Sequence, residues 1–163
     1  MKDVMLTIVA ALLMAACATL TPEEKAARVQ HVVDAVGSKN YRININTMRP
    51  MRGSDRSVFN HWIKVQDNTV DCDLPYAGRD DIPTPKSRLE SRLDHHIVFK
   101  TTADNYLLAV NPKDREGTVT FDVQDGVRKY KFSIRIISID NVRVRLTPDD
   151  RDFIDYEGTI SPL

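Results

Sequence analysis

Cysteine and glycine are both scarce in this chain, with two cysteines and six glycines among 163 residues. If Cys17 is lipidated, as its context predicts below, Cys72 is the only remaining thiol and the folded domain has no intrachain disulfide. Its stability must then come from the core. The low glycine content, without any low-complexity tract, is typical of a globular domain rather than of a disordered tail.

An excess of charge of either sign is also missing, because 23 lysines and arginines balance 23 aspartates and glutamates. A balanced chain has no basic field that would hold nucleic acid, and this one has no polybasic stretch for anionic lipid. We therefore predict that nucleic acid is not a partner.

The motifs of several common enzyme classes are absent as well. The sequence contains no glycine-rich phosphate loop, no His-Glu-x-x-His pair, no Cys-x-x-Cys and no Gly-x-Ser-x-Gly elbow. We therefore predict no catalytic residues, no cofactor and no enzymatic activity.

An apolar run over residues 4–16 follows a charged start and ends directly before Cys17. This arrangement is typical of a secretory signal, and two alanines before the cysteine are typical of a bacterial lipobox. A membrane-spanning helix needs about 20 apolar residues, more than this run provides. We predict a lipoprotein signal peptide over 1–16, lipidation of Cys17 and a tether over 17–22. The alternative is an ordinary signal peptide with an incidental cysteine.

Lipidation predicts where the protein resides. Each buried CH₂ of an acyl chain such as palmitate contributes about 0.8 kcal/mol to membrane binding, and two chains hold a protein where one does not. We expect an exported cell-envelope lipoprotein that is anchored in the outer membrane. The sequence leaves open whether it faces the periplasm or the cell surface.

A short amphipathic helix is predicted over 23–36, at the start of the domain. Thr21 is suited to the N-cap, Pro22 to the first turn and Gly37 to the C-cap. One apolar stripe with helical spacing contains Val29, Val32, Val33 and Val36. This stripe should pack on the rest of the domain.

After residue 40 the apolar period changes from 3.6 to 2, which indicates half-buried strands. Strands are predicted from Tyr41 and over 58–66, 69–73, 96–101, 106–111, 118–123, 128–137, 142–146 and 152–160. Turn signals lie at Asp104-Asn105, Asp125-Gly126 and Asp140-Asn141, and the second favours a type I′ turn. We predict one mainly-β domain over 23–163, an antiparallel β-sandwich or partly closed barrel of about eight or nine strands.

Histidines and carboxylates are the remaining candidates for chemistry. The histidines are His31, His61, His95 and His96. Neighbouring residues of a strand point to opposite faces, so His95 and His96 cannot chelate one ion together. A site that combines one of them with Asp94 or Asp104 is an alternative, but we predict no metal site.

Two other sets of residues allow two interpretations each. Asp71 and Asp73 share one strand face, and Cys72 lies between them in the sequence. We interpret Cys72 as a small structural side chain. The carboxylates of Asp71 and Asp73 suit either a cation or water. A basic strand face is either solvated or binds an anionic partner, and it contains Lys129, Lys131, Arg135, Arg143 and Arg145.

Two sequence elements give the chain a family resemblance. The first is Leu-Pro-Tyr-Ala-Gly-Arg at 74–79, and the second is the closing stretch 151–160, which contains Tyr156 and Gly158. With the strands between them, they make the chain similar to the family called domain of unknown function 4251, small lipoproteins mostly of gut-type Bacteroidota. The resemblance implies a lipoprotein with one mainly-β domain and implies no catalytic residues. The chain departs from the family's glycine-rich pattern over 79–94.

These observations predict a lipid-anchored, non-enzymatic binding or interaction module. Its partner would be an envelope protein or another envelope component, bound through the sheet face or through the loop 74–94. The candidate residues of this loop are Tyr76, Gly78 and Arg79. Tyr76 and Tyr156 each precede a glycine by two residues, so each could cover a bare glycine backbone or stack on a ligand.

Two alternatives remain for the function. One is a carrier or sensor of a small apolar or amphipathic ligand held inside the β-structure. The other is a hydrolase that uses carboxylates or histidine, with Asp71, Asp73 and His96 as its candidates.

Overall fold

The computed structural model describes residues 21–78, 95–111 and 116–163. The predicted signal peptide, lipidated Cys17, Arg79 and Asp94 lie outside these residues. The described elements, in chain order, are helix α1 (Pro22–Gly37) and strands β1 (Asn40–Pro50), β2 (Arg56–Gln66), β3 (Thr69–Tyr76), β4 (His95–Asn111), β5 (Glu116–Asp125), β6 (Arg128–Ser138), β7 (Asn141–Pro148) and β8 (Ile154–Pro162).

The eight strands form one closed antiparallel barrel. Each strand pairs with the next one along the chain, and β8 pairs with β1. The last strand is held to the first over the register from Tyr41 opposite Pro162 to Pro50 opposite Ile154. The predicted mainly-β antiparallel fold is confirmed, and of its two forms the chain adopts the barrel.

Alternation of inward and outward side chains explains why these segments become strands. Along β7, Val142, Val144 and Leu146 are fully buried, whereas Arg143 and Arg145 between them are exposed. A strand with one dry and one wet face places its apolar side chains on the inside of a barrel. Inward residues from all eight strands form a single hydrophobic cluster.

Aromatic rings occupy much of the interior between β4, β5 and β6. Phe121 stacks on Phe132 with ring centroids 4.8 Å apart, and on its other side it stacks on Tyr106 at 5.8 Å. Phe99 meets the edge of Phe132 at 6.2 Å. Side chains therefore fill this part of the barrel, as they do in other eight-stranded barrels with packed interiors.

Helix α1 packs against β1 and β8. Thr21 and Glu24 form the capping box, with each side chain accepting a hydrogen bond from the backbone N–H of the other residue. Val32 and Val36 of the predicted stripe are buried, whereas Val33 is about half exposed. The Tyr106 hydroxyl donates to the Val36 carbonyl at 3.0 Å, which ties the helix to β4.

The end of the helix differs from the prediction. Gly37 is the last helical residue, Ser38 is the C-cap and Lys39 has the left-handed conformation, with φ of 57°. The backbone N–H of Ser38 donates to the Asp34 carbonyl and closes the last turn. The helix therefore extends one residue beyond the predicted range at each end.

Two predicted turns also differ. Asp104 and Asn105 lie inside β4, where the pairing with β5 shifts register and Asn105 has a φ of 54°. The predicted strands 96–101 and 106–111 are therefore parts of one bulged strand, in which Asn105 adopts a left-handed conformation that asparagine tolerates. In the β5–β6 turn only Gly126 has a positive φ, 60°, so the predicted type I′ turn is wrong.

Within the described part of the chain, no helix is both long enough and apolar enough to cross a bilayer.

Candidate functional site

Two histidines and one aspartate meet on the outside of the barrel at strands β2, β3 and β4. Nδ1 of His61 lies 3.2 Å from Oδ1 of Asp73, and Nδ1 of His96 lies 3.0 Å from the same oxygen. The two imidazole rings are 5.2 Å apart between centroids and are tilted by 55°. The three side chains are partly exposed, with 13%, 26% and 44% of the surface of His61, Asp73 and His96 accessible.

The pairing register brings Asp73 and His96 together. Asp73 points outward because its neighbours Cys72 and Leu74 are fully buried. It lies opposite Val98 of β4, and His96 lies two residues before Val98 on the same outward face. Residues in this diagonal relation across an antiparallel pair are within reach of long side chains.

An irregularity in β2 accompanies the position of His61. Strict alternation from the buried Ile63 would direct His61 inward, yet its ring reaches the outward carboxylate of Asp73. The β1–β2 register shifts between Ile45 and Thr47, and Asn60 has a φ of 62°. Bulges of this kind re-aim side chains near functional sites.

Apolar and aromatic side chains surround this cluster. Trp62 lies opposite Asp73, and the guanidinium of Arg42 lies 5.0 Å from the centroid of its ring. Val98 is 62% exposed. We call His61, Trp62, Asp73, His96 and Val98 the β2–β4 face.

The other predicted chemical residues lie elsewhere. His31 is exposed on α1, and Asp104 is paired in register with Asp122 on β5. Asp71 lies two residues before Asp73 on the same outward face of β3. Its register partners are Lys64 on β2 and Lys100 on β4. Of the three hydrolase candidates, only Asp73 and His96 are therefore in contact.

The described part of the candidate loop is built around Tyr76. Its ring is buried, its hydroxyl donates to the Asp152 carbonyl at 2.9 Å, and the guanidinium of Arg151 lies 5.0 Å from the ring centroid. A Cβ at Gly78 would collide with the Tyr76 hydroxyl. This arrangement agrees with an aromatic ring that covers a bare glycine.

The second tyrosine and glycine pair is arranged differently. A Cβ at Gly158 would collide with the backbone carbonyl of Asn44 on β1, not with the ring of Tyr156. The Tyr156 hydroxyl instead donates to the Pro75 carbonyl at 2.8 Å inside the barrel. Burial and this hydrogen bond favour a structural role of Tyr156 over ligand stacking, and the approaching backbone of β1 is what requires a glycine at Gly158.

Cys72 is a buried side chain on the inner face of β3. Burial raises the pKa of its thiol to about 12, and the nearby charges of Asp71 and Asp73 contribute in the same direction. A reactive cysteine needs a lowered pKa and access to solvent. The geometry therefore agrees with the structural interpretation.

The three arginines of the basic strand face are paired with acidic residues from neighbouring strands. Ion pairs join Arg145 to Asp155 at 2.7 Å and Arg143 to Glu157 at 3.3 Å. Arg135 donates to Glu116 on β5 at 2.7 Å. These ion pairs favour the solvated interpretation of this face over an anionic partner.

The comparisons with known proteins identify a sequence family and a similar fold. The family described as domain of unknown function (DUF4251) matches residues 23–160. A crystal structure of a DUF4251 family protein from Bacteroides eggerthii DSM 20697 is similar, with a TM-score of 0.64 and 13% identity, over 85% of this chain and 89% of the other. No curated protein matches the chain significantly.

Proposed function

The chain belongs to the DUF4251 family, and from this premise we propose that it is a lipid-anchored, non-enzymatic binding module of the bacterial outer membrane. Its partner is an envelope protein or another envelope component. The lipobox at Cys17 supports the anchor, and the ion-paired basic face supports a partner that is neither nucleic acid nor an anionic surface.

One observation carries the assignment of the binding surface. The outward positions of β7 are all polar and include two arginines, whereas the β2–β4 face combines an exposed valine, a tryptophan and two histidines around a single carboxylate. Aromatic residues are enriched in protein interfaces and charged residues are depleted from interface cores. Because packed side chains fill much of the interior, a partner has to be recognised from the outside.

Site-specific photo-crosslinking in cells tests this assignment. A photoreactive amino acid at Val98, which is 62% exposed, should capture the same envelope component reproducibly. The matched control is Val127, a valine on the β5–β6 turn that is 92% exposed. If both positions capture the same set of proteins, or if Val98 captures none, the β2–β4 face is not the binding surface.

The anchor has a separate test. Cys17→Ala should abolish labelling of the protein with a palmitate analogue and should prevent cleavage by the lipoprotein peptidase. The matched control is Cys72→Ala, which should leave labelling unchanged because Cys72 is buried in the folded domain. Labelling that persists in Cys17→Ala would overturn the anchor.

The carrier alternative predicts a ligand inside the barrel. The stacked rings of Tyr106, Phe121 and Phe132 leave that region occupied, which favours the binding module. Native mass spectrometry of the protein purified gently from its own host separates the two. A reproducible extra mass of an organic ligand would support a carrier, and a protein without such a mass would support the module.

The contact between Asp73 and His96, 3.0 Å long, favours the hydrolase as the second candidate. A histidine oriented by a carboxylate is the base of many hydrolases. A hydrolase would turn over a panel of chromogenic esters and glycosides and lose that turnover in His96→Ala, whereas a binding module has no turnover to lose.

A further inference from the structure

The geometry points to a metal site, and we propose that His61, Asp73 and His96 bind one divalent first-row transition-metal ion, such as Zn²⁺. The proposal concerns the ion alone, so it goes beyond the proposed function and does not depend on the partner. Three protein ligands leave at least one coordination position open toward solvent on the β2–β4 face.

The distances are close to those that such an ion requires. One ligand atom from each of the three side chains lies within 4.8 Å of the other two, and both Nδ1 atoms lie 3.0–3.2 Å from Oδ1 of Asp73. Metal–ligand bonds of about 2.0–2.2 Å at tetrahedral angles separate neighbouring ligands by about 3.4 Å. Small side-chain rotations are therefore enough to place an ion between them.

The chemistry of the ligands selects the class of metal. Two neutral imidazoles and one carboxylate suit zinc, copper, nickel or iron, whereas calcium and magnesium prefer oxygen ligands throughout. The carboxylate provides one negative charge to offset the cation. The ion would lie between the two Nδ1 atoms and the carboxylate oxygen that both of them now contact.

The scaffold favours preorganisation of the site. The three ligands lie on adjacent, hydrogen-bonded strands of a closed barrel. Ligands on strands hold their geometry more closely than ligands on loops. Little conformational entropy is therefore lost when the ion binds.

Titration of the metal-stripped full chain with Zn²⁺ alone tests the proposal. Isothermal titration calorimetry should detect one ion per chain, and His96→Ala should weaken binding by at least about 100-fold, because loss of an outer-shell partner alone already costs about 10–100-fold. The matched control is His31→Ala, because His31 is an exposed histidine on α1, away from the site. This control should keep the affinity of the unaltered chain.

Two further measurements separate lost ligation from lost folding. His96 is 44% exposed, so His96→Ala should keep the thermal midpoint of the metal-free chain. Nitrogen-15 spectra should detect zinc-dependent shifts of the Nδ1 resonances of His61 and His96 and none for His31. The absence of one-to-one binding, or equal weakening in His96→Ala and His31→Ala, would overturn the site.

Discussion

At the scale of single residues, Gly158 is fixed by the backbone of a neighbouring strand. It lies opposite Ile45, beside the point where the pairing of β1 and β8 shifts register. The carbonyl of Asn44 occupies the space that a Cβ would need. A backbone group cannot rotate away as a long side chain can, so β1 or β8 would have to move.

We therefore expect Gly158→Ala to lower the free energy of unfolding by about 1–3 kcal/mol, the usual cost of overpacking. Urea denaturation monitored by circular dichroism measures this change. The matched control is Gly117→Ala on β5, where the added Cβ would meet only ordinary van der Waals contact with Ile136. Equal losses in the two variants would contradict the explanation.

The sequence predicts some residue environments and not others. The inert, buried state of Cys72 follows from strand alternation alone. The meeting of His61, Asp73 and His96 does not, because it requires the pairing register and the orientation of a ring beside a bulge. Part of this arrangement is predictable, because a two-residue turn between Gln66 and Thr69 fixes the β2–β3 register and places Trp62 opposite Asp73.

At the scale of elements, the bulge in β4 explains why one predicted turn is absent. Asn105 has a φ of 54° and its side chain donates to Asp122 on β5. The same asparagine chemistry supports either a turn between two strands or a bulge within one. The local sequence cannot separate these outcomes, because the choice depends on how far β4 pairs with β3 and then with β5.

Substitution of Asn105 tests the role of its conformation. Asn105→Val should lower the free energy of unfolding by about 1–2 kcal/mol, because a β-branched residue is strained in the left-handed region. Asn105→Gly should restore part of that loss, since glycine adopts positive φ without strain. Thermal denaturation of the two variants measures the difference, and a glycine variant no more stable than the valine variant would contradict this explanation.

At the scale of the whole molecule, alternation and turn signals predict the antiparallel sheet, and most of its strands, from sequence. They leave the choice between sandwich and barrel open. Closure depends on the pairing of β1 with β8, two segments at opposite ends of the domain. Long-range pairing of this kind has no local signature, which is why both forms remain compatible with the sequence.

The barrel interior also determines how stability depends on pH. Burial raises the pKa of Cys72 from 9.0 to about 12 and raises the pKa values of Tyr41 and Tyr156 well above 10.0. These groups hold their protons more tightly in the folded state than in the unfolded state. Their contribution to stability is complete below about pH 9 and is lost as the pH rises through the folded-state values.

We expect the free energy of unfolding to fall above pH 9, by up to about 1.4 kcal/mol per pH unit for each group involved. Urea denaturation at several pH values between 8 and 11 measures this slope. Cys72→Ala should have a shallower slope, because it removes one of the titrating groups. An unchanged slope in this variant would contradict the role of Cys72.

Closure of the barrel has a consequence for crowding on a membrane. A sheet with open edges exposes unpaired backbone N–H and C=O groups, which can join sheets of neighbouring molecules into aggregates. Among the eight described strands, the pairing of β8 with β1 leaves no such edge. With the lipid anchor proposed above, many copies side by side would therefore reach a high surface density without strand exchange, and a neighbour of this barrel would have to recognise side chains alone.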